Sequence, residues 1–233
     1  MRPLILLAAP LALVACAVAF PSPTTPTGLR PVPSADVAHW AASTMPSSQW
    51  LMMRFGWRKR DSEGSNGGRG YAYFAAPDSI RVYVGSTLGI FRGDAAVVGD
   101  SALWAEPREE VEKLVPSYHL LWALLGVARP LAAGWDTQSR QDAKTMNSTV
   151  RYTHGADTVE YVAIHGGQAR LETRVVVGGK PIGQVTALFD QLRHVSRSRL
   201  TVLTSPVQLD ITFDSVTKQQ RIDKDSWNAP TGH

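Results

Sequence analysis

Tyr73-Phe74-Ala75-Ala76-Pro77-Asp78-Ser79-Ile80-Arg81-Val82 reads as two strands meeting at a turn. Pro77 presets φ for a turn, and Asp78 can hydrogen-bond its own following backbone, so the pair separates a strand over Arg69–Ala75 from one over Ser79–Val84. Upstream, Leu51, Met53, Phe55 and Trp57 recur with period two while Arg54 and Arg58 take the alternate positions, which predicts a strand with one apolar face. Between them Gly64–Gly70 is expected to be a loose hairpin loop. Downstream, Leu88–Trp104 continues in short strands.

The pattern returns in the second half. Ala169, Leu171, Val175 and Val177 alternate with Arg170, Glu172 and Arg174, and Gly178-Gly179 supplies a hairpin turn into Ile182–Leu188. Near the end Leu209, Ile211 and Phe213 alternate with polar neighbours. Serial hairpins with few helices indicate an antiparallel sheet, so the fold class is mainly β with a few helices. One helix is expected over Ser34–Met45, capped by Ser34 and stopping before Pro46. Others fall within Pro107–Val127, where Pro107 precedes an acidic first turn, Pro116 interrupts, and Ser117 caps an apolar helix over Tyr118–Leu125 that ends at Gly126. A helix with so little polar face must be buried.

The N-terminus reads as an export signal: Met1-Arg2-Pro3, then an apolar run too short to span a bilayer. Within it Leu13-Val14-Ala15-Cys16 looks like a lipobox, which would make Cys16 a diacylated lipid anchor. Ala17-Val18-Ala19 before Phe20 also fits an ordinary signal-peptidase site, so simple secretion stays open. The expected organisation is a signal peptide over 1–15, a lipidated N-terminus and Pro/Thr-rich extended tether over 16–33, and one domain over 34–230. With 233 residues, 44% of them hydrophobic, the chain can build one sizeable core. Its formal charge of +4 is spread among acidic residues, and no basic arm implies nucleic acid. Arg58-Lys59-Arg60 is the one locally basic stretch, read either as a solvated hairpin end or as a contact to anionic headgroups.

Catalytic motifs do not assemble. None of the six histidines stands in a metal-binding spacing, so neither a metal nor a cofactor is expected. Gly99-Asp100-Ser101 resembles a lipase nucleophile block, but Asp190 and His194 are one residue too far apart for its partner motif. Gly67-Gly68-Arg69-Gly70 lacks the strand-to-helix setting of a phosphate loop. The chain is not expected to be an enzyme.

The basic strand, the glycine-rich stretch, the Pro77-Asp78-Ser79-Ile80-Arg81-Val82 hairpin, Gly85 and Gly89 together resemble the periplasmic lipoprotein-carrier and outer-membrane lipoprotein-receptor (LolA/LolB-like) superfamily. The helices around Leu114–Val127 and a closing strand pair over Leu209–Trp227 fit it too. The resemblance implies a curved antiparallel half-open β-barrel with a helical lid, whose cavity takes acyl chains, with Arg81 in a structural role. Candidate lining residues are Leu51, Met53, Phe55, Trp57, Tyr71, Tyr73, Leu121, Trp122 and Leu125, a set that suits either an open pocket or a closed core. The expected partner is lipid or an acylated lipoprotein, bound by a monomer held at the periplasmic face of the outer membrane through Cys16, or free in the periplasm if unlipidated. An anchored assembly or scaffolding module that binds a protein through its sheet is the alternative.

Overall fold

A computed structural model of the chain describes residues 20–22, 24, 26–46, 50–75, 77–87, 89, 92–219 and 227–228. The signal segment and Cys16 lie outside the described residues. The first half runs β1 (Arg30–Pro31), α1 (Ser34–Ser43), β2 (Trp50–Asp61), β3 (Gly64–Ala75), β4 (Ser79–Ser86), β5 (Arg92–Val98) and β6 (Ser101–Glu106). Two short helices follow, α2 (Arg108–Leu114) and α3 (Tyr118–Leu124). The second half is β7 (Asp136–Gln141), β8 (Ser148–His154), β9 (Asp157–Ile164), β10 (Arg170–Val177), β11 (Lys180–Phe189), β12 (Val195–Val202) and β13 (Gln208–Lys218).

The strands form one sheet in the order β1-β7-β8-β9-β10-β11-β12-β13-β2-β3-β4-β5-β6. Two meanders, β2–β6 and β7–β13, are joined where β13 pairs antiparallel with β2. No strand pairs β1 with β6, so the expected barrel is an open curved sheet with two edges. Its curvature follows from what α3 touches. Trp122 packs edge-on against Phe74 of β3 at 5.3 Å, while the same helix contacts β10, β11 and β12. β3 and β10 are separated by five strand spacings, about 24 Å in a flat sheet. A helix about 10–12 Å across can meet both only if the sheet curls around it.

Inside the curl, α3 is fixed firmly. Leu120, Leu121, Trp122, Ala123 and Leu124 are all buried, and Ser117 accepts from the His119 backbone N–H as predicted. Gly183 of β11 sits directly under Leu120, where a side chain would collide with the leucine. α2 differs: it buries none of its residues, and its ion pairs, Arg108 to Glu112 and Lys113 to Glu110, stay within the helix.

Several boundaries differ from the sequence reading. β3 already begins at Gly64, so Gly64–Gly70 is strand and not loop. The turn is the tight one before it, where the Asp61 carboxylate accepts from the backbone N–H groups of Glu63 and Gly64. The glycines have a packing reason: a Cβ on Gly70 would lie 2.5 Å from both the Phe55 ring and the Tyr83 carbonyl oxygen. Helix α1 has Pro33 at its N-cap, and Ser34 is its first helical residue. Of the strand pair expected over Leu209–Trp227, the first is β13, which pairs with β12 and β2, and residues 220–226 lie outside the described residues. Of the expected tether, the described residues Phe20, Thr24 and Thr27 touch the convex side of the sheet, and Arg30–Pro31 adds β1 to the edge strand β7.

Candidate functional site

The concave face is built by strand parity. On β2 the side chains of Leu51, Met53, Phe55 and Trp57 point inward, and the register places Phe74, Ala72, Gly70 and Gly68 opposite them. Met53, Phe55 and Trp57 therefore face small residues on the next strand, leaving room above that part of β3. Trp57 uses some of it, donating from its indole to the Gly85 carbonyl at 3.2 Å. Ile80, Val82 and Val84 continue the face on β4, opposite Val97, Ala95 and Gly93 of β5.

Under the helices this face leaves a cleft that is almost wholly apolar. Its floor includes Phe55, Trp57, Val82, Ala95 and Ile211, and its roof Val111, Leu114, Tyr118, Leu121 and Leu124. The free space is about 70 Å³, against about 300–1,000 Å³ for ordinary ligand pockets. The cleft is thus nearly closed, and α2 with its linker is the loosely held part of the roof. A wider opening of about 460 Å³ adjoins it through Trp57 and Leu114, rimmed by Lys59, Glu110, Glu112 and Lys113. The arrangement is an apolar interior with a charged mouth.

Tyr118 lines the roof, and the charges that act on its phenol are those of Glu112 and Arg108 on α2. The Tyr118 hydroxyl is buried without a hydrogen-bond partner. Burial, with a smaller contribution from Glu112, pushes the phenol above its usual range, so it stays protonated and is a donor. A buried donor left unpaired costs about 1–3 kcal/mol, which marks it as the feature of this cleft that packing alone does not explain.

Of the residues predicted to line a cavity, Phe55, Trp57 and Leu121 do so. Leu51, Met53 and Leu125 share the concave side but border a separate cleft beside Phe189 and Val216. Trp122 is core: its indole donates to the Gly99 carbonyl at 2.8 Å and the Arg129 guanidinium stacks on it. Tyr71 and Tyr73 are on the opposite, convex face, because they alternate with the inward Ala72 and Phe74. There Tyr71 stacks on Tyr83 at 5.0 Å. Val82, Val84, Ala95, Val111, Leu114 and Tyr118 were missed; parity from Ile80 pointed to the first two, and the Ser117 cap placed Tyr118 at the start of the buried helix.

On another side of α3, the His119 Nδ1 lies 3.4 Å from the Tyr161 hydroxyl and 3.8 Å from an Asp100 carboxylate oxygen. Burial lowers the His119 pKa, Asp100 opposes that shift, and Arg129 adds to it. Tyr161 is wholly buried and its pKa is raised by desolvation. Such a hydroxyl cannot reach a substrate, so the trio ties α3 to β9 and to the β5–β6 turn. Ser101 is exposed and pairs with Val98 across that turn.

No family model matches the chain, and no curated protein matches it in sequence. Solved structures do match in fold. A LolA superfamily protein from Nitrosomonas europaea shares 10% identity, with 83% of this chain and 97% of that one covered and a TM-score of 0.54. A DUF1329 family protein from Desulfovibrio piger (7% identity, 84% and 95% covered) and a domain from Vibrio parahaemolyticus described as outer membrane lipoprotein-sorting (7% identity, 83% and 95% covered) each give 0.39. The chain has a LolA-like fold, an assignment that rests on the first of these.

Proposed function

We propose that this protein binds an acyl chain of a lipid, or the acylated end of a lipoprotein, in the cleft between the concave sheet and the α2–α3 roof. It does so in the cell envelope, as an outer-membrane lipoprotein anchored through Cys16. The observation that carries the reading is the almost wholly apolar cleft, whose roof includes Tyr118 with a buried, unpaired hydroxyl. An alkyl chain is taken out of water at about 0.8 kcal/mol per methylene, and one ester or amide carbonyl would satisfy the phenol. Loading requires α2 to lift, which its lack of buried residues permits. No covalent step is involved. The LolA-superfamily and lipoprotein-sorting names of the fold neighbours are consistent with lipid handling in the envelope.

The small free volume supports a second reading, in which the cleft is ordinary core and the domain is an anchored assembly or scaffolding module. Native mass spectrometry of the mature exported chain decides between them, with Ala95→Leu as the control that fills the floor of the cleft. Acyl-lipid adducts on the parent that vanish on denaturation and are lost in Ala95→Leu support the binding reading. A parent that stays free of lipid, even when offered fatty acid or acylated peptide, supports the scaffold.

A further inference from the structure

The convex face carries a feature the cleft does not use. Cross-strand pairing aligns Arg140, Thr149, Val162, Glu172, Thr186, Arg199, Asp210 and Arg58 in one row running perpendicular to the strands. Three described residues of the N-terminal segment, Phe20, Thr24 and Thr27, meet that row. Phe20 lies under the Arg199 guanidinium at 4.3 Å, the Thr24 backbone donates to Glu172 at 2.6 Å, and Arg140 donates to the Thr27 carbonyl at 2.7 Å. Five strand spacings from β12 to β7 are about 24 Å, and seven residues of polyproline-like chain span about 22 Å. The length of the strap thus matches the width of the row, and Thr149, Val162, Glu172 and Thr186 along it are buried.

At the point where the strap begins, the outward side chains of β12, β13, β2 and β3 are dominated by arginine. Asp210 is shared by Arg199 and Arg60, and Asp214 pairs with Arg69. Arg197 also approaches the Phe20 ring. Both carboxylates of this block are therefore already paired, while Arg54 and Arg58 are exposed and have no ion-pair partner among the described residues. Cys16 precedes Phe20 by four residues, a reach of about 14 Å at full extension.

We propose that this convex arginine face, β12-β13-β2-β3, lies on the anionic headgroups of the membrane to which the chain is attached, with the strap setting the orientation. Charge complementarity and the position of the strap's first described residue both select a lipid surface. A strapped segment cannot act as a long free tether, so the face beneath Phe20 is held within reach of the bilayer while the cleft lies on the opposite side of the sheet. The proposal rests on the Cys16 anchor proposed above and does not depend on what the cleft binds.

The test uses the mature exported chain bound to vesicles of phosphatidylethanolamine with and without phosphatidylglycerol, both containing a headgroup nitroxide quencher. A fluorophore is placed at Thr212→Cys on the convex face or at Thr204→Cys beside the cleft mouth. Severalfold stronger quenching at position 212 than at 204, dependent on phosphatidylglycerol and relieved by molar salt and by Arg54→Glu with Arg58→Glu, supports the orientation. Salt supplies the same test without substitution, since it screens exposed charges. Equal quenching at both positions, quenching indifferent to lipid charge, or shielding of position 212 only by an added polyanion overturns it. Lipid adducts in the native mass measurement report on the cleft separately, so either reading can fail alone.

Discussion

The Ser198 hydroxyl on β12 donates to the Leu124 carbonyl oxygen at 2.6 Å, and both groups are buried. Leu124 ends α3, where carbonyls have no partner within the helix, so this bond closes the helix against the sheet. Ser198→Ala is expected to destabilise the fold by about 1–3 kcal/mol, the cost of leaving a buried carbonyl unpaired. Urea unfolding measures it. A loss within about 0.5 kcal/mol, the range of a neutral surface change, would show that the carbonyl finds water instead.

Arg81, singled out in the sequence as structural, holds Asp94 through two hydrogen bonds, at 3.1 Å and 2.7 Å, with its guanidinium 5.2 Å from the Trp104 ring centre. Asp94 is only 4% exposed, so Arg81→Ala strands a buried carboxylate and is expected to cost about 3–5 kcal/mol. Removing both charges with Arg81→Met and Asp94→Leu is expected to recover most of that loss. Thermal melts of the two variants make the comparison, and a double variant no better than Arg81→Ala would contradict it.

Strand positions were legible because period two survives in Leu51–Trp57, Leu171–Val175 and Leu209–Phe213, where one face meets the core. Facing across a hairpin was harder. Tyr71 and Tyr73 look like lining by residue type, yet Phe74 is the inward neighbour, and adjacent residues of a strand cannot share a face. Gly64–Gly70 imitated a loop because glycine marks both turns and close packing. Here it is the complement of Phe55 and Trp57, a relation visible only once the register pairs them. The strap was read as a tether from its prolines and threonines. Composition shows that such a segment cannot build a core, but not that a sheet of matching width lies beneath it.

Tyr118→Phe separates stability from binding. Loss of the buried, unpaired hydroxyl is expected to leave the fold equally stable or firmer by about 1 kcal/mol, while retention of an acyl ligand falls about fivefold, the worth of one neutral hydrogen bond. Melting temperature and fatty-acid displacement are the two measurements. A fall in stability would mean the hydroxyl has a partner in solution.

His119 gives the fold an acid-sensitive joint. Its imidazole is packed between Tyr161 and Asp100, with Arg129 near, and desolvation depresses its pKa although Asp100 pulls the other way. In the unfolded chain the same imidazole titrates at about 6.5. Below that pH the unfolded state takes up a proton that the folded state resists, so acidification favours unfolding. The contribution is full above about 6.5 and is lost as pH falls toward and through the folded-state pKa. His165, also depressed by burial and by Arg193, adds to the same trend, so the comparison must isolate His119. Urea midpoints of the parent and His119→Gln between neutral and mildly acidic pH are expected to converge on acidification, because only the parent loses this part of its stability. Parallel curves would show that Asp100 offsets the burial in solution, and that α3 is held to β9 without regard to pH.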